Sequence, residues 1–154
     1  MTRFCNAAML SAVHHSTAAM METEAWKKRI EAAAGVIVDE AVKLHRSLGP
    51  GLLESVYETA LAFALQRRGL SLVRQQPVPI RYRGAEFKEA FRADLVVEDS
   101  IILEIKSIDR LNPAHRKQLI TYLRLSNRHL GFLLNFGAAA MKDGIVRVVD
   151  RLPE

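Results

Sequence analysis

Two short apolar segments joined by a polar turn constrain the fold of this chain more than any other feature. Residues 91–98 and 101–106 are rich in aliphatic and β-branched side chains, and two polar residues separate them. Such a pair predicts two antiparallel strands connected as a hairpin. Because successive side chains of a strand point to opposite faces, Glu104 and Lys106 are expected on one face, with apolar side chains on the other.

The charged side chains of these segments indicate a cation site. Pairing of the two strands brings Asp94 close to the face that carries Glu104 and Lys106. Two carboxylates and an ammonium that project from an apolar sheet are expensive to bury. Mg²⁺ is typically held by one or two carboxylates together with water and substrate phosphates, so it accounts for the pattern. The alternative interpretation is an ordinary salt bridge, from Glu104 to Lys106 or from Asp94 to Arg92.

Three further motifs surround this pattern. A predicted helix carries G-x-x-E-x-x-Y, the helix after the strands carries Q-x-x-x-Y, and the next apolar strand ends in N-F-G. Their residues are Gly51, Glu54 and Tyr57, then Gln118 and Tyr122, then Asn135, Phe136 and Gly137. Gln118 and Tyr122 are one helical turn apart, so their side chains point the same way.

Together and in this order, the motifs resemble the GxxExxY protein family, a branch of the PD-(D/E)xK nuclease superfamily with RecB-type motif order. Asp94, Glu104 and Lys106 correspond to its D…ExK signature, and the resemblance covers residues 36–149. Ala93 replaces the proline of the superfamily name, at a position that shapes the backbone and binds no metal. The resemblance implies an α/β fold that is restriction-endonuclease-like, with a mixed β-sheet flanked by helices.

The resemblance implies a role for each residue of the site. Asp94 and Glu104 are the expected metal ligands, and Lys106 is expected to orient the attacking water or to stabilise the developing charge. The carbonyl of Ile105 is a further expected ligand. Glu54 is expected to contact the metal directly or through water, and its alternative role is a helix-start acid favoured by the helix dipole. All four charged residues are therefore candidate catalytic residues.

A basic stretch next to the site indicates a polyanionic partner. The chain has 22 Lys+Arg against 17 Asp+Glu, and much of this excess lies in residues 106–128. The candidates for phosphate contacts are Arg116, Lys117 and Arg124. The resemblance implies that Gln118 and Tyr122 face the active site and touch nucleic acid or the lysine, and it adds Gln75 as a weaker candidate. A solvated helix face and a core aromatic at Tyr122 are the alternatives.

The remaining pattern predicts one domain over residues 22–154, preceded by a flexible extension over residues 1–21. The expected element order is α-α-β-β-β-α-β-β. Helices are predicted near 24–47, 52–68 and 113–126, and strands near 70–79, 91–98, 101–106, 130–136 and 145–149. Prolines at 77 and 79 favour an edge position for the first strand. No apolar run approaches the roughly 20 residues that span a bilayer, and a single cysteine excludes a disulfide framework and fits a cytoplasmic protein.

The expected function is hydrolysis of DNA phosphodiester bonds by a Mg²⁺-dependent nuclease, with Mn²⁺ as a plausible substitute. The expected partner is nucleic acid, and no membrane partner is expected. A homodimer is an open alternative, because one compact core leaves little material for an arm around a duplex. The competing hypothesis is a catalytically weak module that binds nucleic acid or protein and keeps the nuclease fold. A scaffold unrelated to nucleic acid is a third.

Overall fold

The structure, a computed structural model, describes residues 6–151, with side chains described for residues 20–151. Four helices and five strands follow one another in this part of the chain. The helices are α1 (Asn6–Leu48), α2 (Glu54–Arg67), α3 (Pro113–Leu125) and the one-turn α4 (Met141–Gly144). The strands are β1 (Leu72–Tyr82), β2 (Ala85–Val97), β3 (Ile101–Lys106), β4 (Leu130–Asn135) and β5 (Ile145–Val149).

The five strands form one mixed sheet in the order β1-β2-β3-β4-β5. β3 and β4 run parallel, with α3 in the crossover between them, and the other neighbouring pairs are antiparallel. α1 and α2 pack on one face of the sheet and α3 packs on the other. The predicted fold, a mixed β-sheet flanked by helices, is therefore confirmed.

β3 forms the centre of the sheet and contributes to two apolar cores. Leu103 and Ile105 pack into the larger core beneath α1 and α2, whereas Ile102 packs into the smaller core beneath α3. Glu104 and Lys106 continue the alternation that starts at Ile102, so they lie on the α3 side of the sheet. The predicted common face of the two charged residues is confirmed.

Local sequence explains where the helices that flank the site begin and end. α1 ends at Leu48 because Gly49 takes a φ of 70° and Pro50 cannot continue a helix. α3 begins after Asn112, whose side chain accepts hydrogen bonds from backbone N–H groups of the first turn, with Pro113 as the first helical residue. Both boundaries were expected from the sequence.

Three elements differ from the prediction. α1 begins at Asn6, upstream of the predicted start at residue 24, and the predicted loop over residues 137–144 contains α4. The predicted second helix starts later than expected, at Glu54, and the apolar side chains of its N-cap Leu53 and of Val56 are exposed. The extension predicted over residues 1–21 stays a prediction, because residues 1–5 lie outside the described residues. No helix within the described part of the chain is long and apolar enough to cross a membrane.

β1 and β2 continue outward as a long hairpin, well beyond the predicted strands. Arg83 and Gly84 form its turn with φ values of 48° and 81°, which suits the twist of a tight hairpin. Every residue from 81 to 90 is exposed. We call residues 79–92 the β1–β2 ribbon. The chain therefore does carry material for an arm, contrary to the expectation from its size.

Candidate active site

β2 and β3 stop pairing with each other where the two predicted metal ligands lie. The last pair between β2 and β3 joins Leu95 to Leu103, so Asp94 and Glu104 are the next residues on the two strands. Asp94 turns its carboxylate toward β3, and its Oδ2 accepts a hydrogen bond of 2.8 Å from the backbone N–H of Ile105. Both carboxylate residues thus directly follow the last pair of the β2–β3 ladder.

Glu104 is buried and only half satisfied. The residue is 7% exposed. Its Oε1 accepts a hydrogen bond of 3.2 Å from Lys106 Nζ. Its Oε2 is buried and has no hydrogen-bond partner among the described residues. A buried carboxylate oxygen without a partner is costly. The Glu104–Lys106 pair is therefore not an ordinary surface salt bridge, and Arg92 pairs with Glu89 and not with Asp94.

Mutual proximity and burial shift the pKa values of the three charged residues. Burial, with repulsion from Asp94, raises the pKa of Glu104 to about 7. Burial also raises the pKa of Asp94, although the hydrogen bond from Ile105 partly offsets the rise. Burial alone would lower the pKa of Lys106, but the attraction of Glu104, Glu54 and Asp94 outweighs it, and the pKa rises. Lys106 is therefore a protonated hydrogen-bond donor near neutral pH.

Glu54 lies at the edge of the same site. It is the first residue of α2, and its Oε1 accepts a hydrogen bond of 3.2 Å from the backbone N–H of Ser107, directly after β3. Its charge contributes to the raised pKa of Glu104. Glu54 thus combines both expected features, since it starts a helix and lies close to the carboxylate pair.

Tyr57 fixes the loop that precedes Glu54. Its ring is buried and stacks on Phe136, with centroids 4.4 Å apart. Its hydroxyl donates a hydrogen bond of 2.5 Å to the Gly49 carbonyl and accepts one of 3.1 Å from the Leu52 N–H. In the G-x-x-E-x-x-Y motif, Tyr57 therefore fixes the turn that positions Glu54.

Asn135 and Gly137 fix the segment that follows Lys106. The Asn135 side chain accepts a hydrogen bond of 3.0 Å from the Ile108 N–H and donates one of 2.8 Å to the Ile108 carbonyl. A Cβ added to Gly137 would lie 2.4 Å from the same carbonyl oxygen. The N-F-G motif thus holds the chain beyond β3 in close contact with the end of β4.

Gln75 and Glu58 contribute more to the site than the sequence indicates. Gln75 Nε2 donates hydrogen bonds of 2.7 Å to Glu58 Oε2 and 3.3 Å to Asp94 Oδ1. Glu58 is buried and also accepts a hydrogen bond of 3.0 Å from Arg74 Nε. The spacing of Glu58, one turn after Glu54 on the same helix, was the available signal. Glu58 and Gln75 form a support behind Asp94.

α3 brings its predicted pair of residues to the same side of the sheet. Tyr122 stacks on Phe91, with ring centroids 3.6 Å apart and planes within 6°. Burial raises the pKa of Tyr122, and the Glu104 charge adds to the rise. Gln118 is exposed one turn earlier, beside the Tyr122 hydroxyl. Tyr122 is therefore half-buried against β2 and near the carboxylates.

The three predicted phosphate contacts are exposed on α3 but differ in their surroundings. Arg124 Nε donates hydrogen bonds of 3.3 Å to both carboxylate oxygens of Asp150. The side chains of Arg116 and Lys117 form no ion pair with any described residue. Arg116 and Lys117 are thus free to meet phosphates, whereas Arg124 is partly neutralised.

The donor set fits a hard divalent cation better than a soft one. Within residues 20–151, no group of three or more His, Cys, Asp or Glu side chains is arranged to hold a metal by itself. Zinc sites usually need three or four such ligands, whereas Mg²⁺ takes one or two carboxylates and completes its shell with water and phosphate. Asp94 and Glu104, with the unpartnered Oε2, match the second case.

A separate cleft of about 500 Å³ lies at the opposite end of β3. Its walls include Trp26, Arg128 and His129, and none of the predicted site residues lines it.

The comparison with known families agrees with this geometry. A family model described as the PD-(D/E)XK nuclease superfamily matches residues 31–148. No curated protein and no solved structure gives a significant match to the chain. The matched residues contain four strands in full, all of β5 except Val149, and every candidate site residue.

Proposed function

Because the chain belongs to the PD-(D/E)XK nuclease superfamily, we propose that it is a Mg²⁺-dependent nuclease that hydrolyses phosphodiester bonds of DNA. The observation that carries the proposal is the buried Oε2 of Glu104, which has no hydrogen-bond partner among the described residues and belongs to a carboxylate close enough to Asp94 for repulsion between them to add to the effect of burial on its pKa. Burial raises the pKa of both carboxylates, and a cation bound beside them would favour their ionised forms.

Asp94 and Glu104 would hold the metal, with the Ile105 carbonyl and Glu54 as further ligands, direct or through water. Mn²⁺ would substitute for Mg²⁺ at an oxygen-rich site of this kind. When bound, the ion supplies charge neutralisation for the phosphate and an activated water. The Asp94 carboxylate is held in a fixed orientation by the Ile105 N–H and by Gln75, which supports its assignment as a ligand.

Lys106 would act as a donor to the attacking water or to the phosphate. Its Nζ lies 3.2 Å from Glu104 Oε1, and its raised pKa keeps it protonated at neutral pH. A protonated ammonium can stabilise the charge that develops on the phosphate oxygens, but it cannot remove a proton from water. The proposed role is therefore orientation and electrostatic stabilisation.

The nucleic acid would lie along α3. Burial, together with the charges of Glu104 and Asp94, raises the pKa of Tyr122, which Gln118 contacts by a side-chain hydrogen bond. Arg116 and Lys117 would extend this surface with positive charge. Arg124 would join them once a phosphate competes with Asp150. Positive charge next to the reacting carboxylates would attract the polyanion and hold it in register.

We also propose that the chain belongs to the GxxExxY branch, with RecB-type motif order, and acts in the cytoplasm. The support for the branch is the joint role of Glu54 and Tyr57, since one lies beside the carboxylate pair and the other anchors its loop. The support for the compartment is the single cysteine of the chain.

A cleavage panel tests the function. Single-stranded, duplex and forked DNA would each be incubated with Mg²⁺, with Mn²⁺ and with EDTA, using the wild-type chain and the Asp94→Asn and Glu104→Gln variants. The expected result is cleavage that needs a divalent cation and both carboxylates. Binding of DNA without metal-dependent cleavage on any substrate would favour the alternative function, a nucleic-acid-binding module that keeps the nuclease fold.

A further inference from the structure

The β1–β2 ribbon has one apolar and one charged face. In its register, Ile80 pairs with Phe87 and Arg81 pairs with Glu86. Residues directly opposite each other in an antiparallel pair share a face, and neighbours along a strand alternate. Tyr82 therefore shares a face with Ile80 and Phe87. Tyr82 is 61% exposed and Phe87 is 52% exposed, so two rings project from a part of the sheet that no helix covers.

The aromatic face of the ribbon leads toward the carboxylates. At the base of the ribbon, Phe91 stacks on Tyr122 of α3 at 3.6 Å. Asp94 follows three residues later on the same strand. Tyr82 and Phe87 at the tip and the Phe91–Tyr122 stack at the base thus occur in this order along the ribbon, with a register shift between Val78 and Ile80 separating the two groups. We call these rings the ring series.

Positive charge accompanies these rings. The ribbon has four basic and two acidic side chains. Arg81 and Arg92 pair with the two acids, at 3.5 Å and 3.0 Å. Arg83 and Lys88 have no ion-pair partner among the described residues, and the Arg83 guanidinium lies 5.3 Å from the centre of the Tyr82 ring. A free guanidinium beside an exposed ring matches a ligand that offers both phosphates and flat rings.

We infer that the β1–β2 ribbon binds unpaired nucleotides, with bases stacked on Tyr82 and Phe87 and phosphates near Arg83 and Lys88. The inference rests on the proposed nuclease function and narrows its substrate class to nucleic acid with a single-stranded segment. In a duplex, the flat faces of the bases are occupied by their neighbours, so exposed protein rings gain stacking contacts only from unstacked bases. A strand held by the ribbon would run along the ring series toward Asp94.

Binding without cleavage tests the inference. The 154-residue chain would be titrated in EDTA against a fluorescein-labelled oligothymidylate and against a blunt hairpin duplex, with anisotropy as the readout. The test variant is the double substitution Tyr82→Leu with Phe87→Leu, which keeps apolar side chains at exposed strand positions but removes the rings. Tyr82→Phe keeps the ring. Phe63→Ala is the matched control, because Phe63 is 62% exposed on α2 and also has an arginine, Arg67, 5.9 Å from its ring centre.

The double leucine variant should bind the oligothymidylate at least about tenfold more weakly, and should bind the duplex with nearly wild-type affinity. Tyr82→Phe and Phe63→Ala should behave like the wild type. Equal oligothymidylate affinity for the wild type and the double variant would overturn the inference. If the wild type is also a dimer by light scattering and the double variant a monomer, the ribbon binds a second copy of the chain instead.

The outcome is separable from that of the cleavage panel. Suppose that the chain cleaves DNA in a metal-dependent reaction but the double leucine variant keeps its single-strand affinity. The nuclease proposal then stands, and only the ribbon assignment is refuted. Ring-dependent binding of the oligothymidylate by a chain that cleaves nothing would support the ribbon assignment and refute the nuclease proposal.

Discussion

Gln75 donates a hydrogen bond of 3.3 Å to Asp94 from a backbone position at which the β1–β2 ladder is interrupted. The paired residues on either side of Gln75 are Arg74 with Leu95 and Gln76 with Ala93. Gln75 itself has a φ of 49°, a conformation that costs energy for a residue other than glycine. Its amide nitrogen reaches Asp94 across the two strands, and the same nitrogen also binds Glu58.

Removing the Gln75 amide should destabilise the protein and weaken cation binding. Gln75→Ala leaves the buried Glu58 Oε2 without this donor, so we expect a loss of about 1–3 kcal/mol in the free energy of unfolding. Calorimetric titration with Mn²⁺ should show lower affinity, because Asp94 loses a contact that orients it. Gln75→Gly is the control, since it removes the amide but relieves the backbone at positive φ. Unchanged Mn²⁺ affinity in both variants would refute the positioning role.

The stability of the metal-free protein should fall as the pH rises. The pKa of Glu104 is 4.5 when unperturbed and about 7 in the folded protein, so the folded state binds the proton more tightly than the unfolded state. Its contribution is fully present below pH 4.5 and is lost as the pH passes through about 7, a change of about 3 kcal/mol. Urea unfolding in EDTA across this range, for the wild type and Glu104→Gln, measures it. The variant should lack this component, and parallel pH profiles would contradict the assignment.

Lys106→Ala should abolish cleavage and preserve the fold and most DNA affinity. The ammonium lies beside Glu104 and acts on the reacting phosphate, so its loss should lower the cleavage rate by about a hundredfold or more. Binding depends on many phosphate contacts and should change little. Single-turnover cleavage and anisotropy would be measured together, with Lys28→Ala, at an exposed lysine of α1, as the control away from the carboxylates and from α3. A Lys106→Ala enzyme that cuts at the wild-type rate would show that the lysine is not catalytic.

Neutralising α3 should weaken DNA binding equally for all sequences. Lys117→Ala combined with Arg124→Ala should reduce the slope of log affinity against log salt by roughly one unit for each lost phosphate contact. Because Arg124 is paired with Asp150, Arg116→Ala with Lys117→Ala should have the larger effect on affinity. Gln118→Ala should lower turnover more than affinity. An unchanged salt slope in both double variants would mean that α3 is a solvated surface.

Much of the fold follows from local sequence signals. The alternation in residues 101–106 correctly predicts which side chains of β3 share a face, and the two prolines at 77 and 79 correctly predict that β1 lies at an edge. The ribbon was not predicted, because residues 81–90 are exposed on both faces and so lack the hydrophobic period that marks a strand. Leu53 and Val56 have the spacing of a buried helical stripe but are exposed, because apolar spacing does not reveal whether a partner surface exists.

The site was partly readable from the chain. The D…ExK spacing places Glu104 and Lys106 together because both lie on one short strand, and the hairpin adds Asp94. The Gln75–Glu58 support depends on a ladder interruption and a positive φ, neither of which has a local signature in a glutamine between Arg74 and Gln76. Metal ligation by Asp94, Glu104, Ile105 and Glu54 stays a prediction. So do the catalytic role of Lys106 and the nucleic-acid contacts of α3.

The prolines of β1 also limit how copies of this chain can associate. β1 is an edge strand, and an edge normally offers a row of N–H and C=O groups to any other strand that approaches. Pro77 and Pro79 have no N–H, so the free side of β1 cannot extend the sheet regularly into a neighbouring molecule. Sheets that continue through β1 into a second subunit, and fibrils grown from this edge, are therefore disfavoured even at high protein concentration.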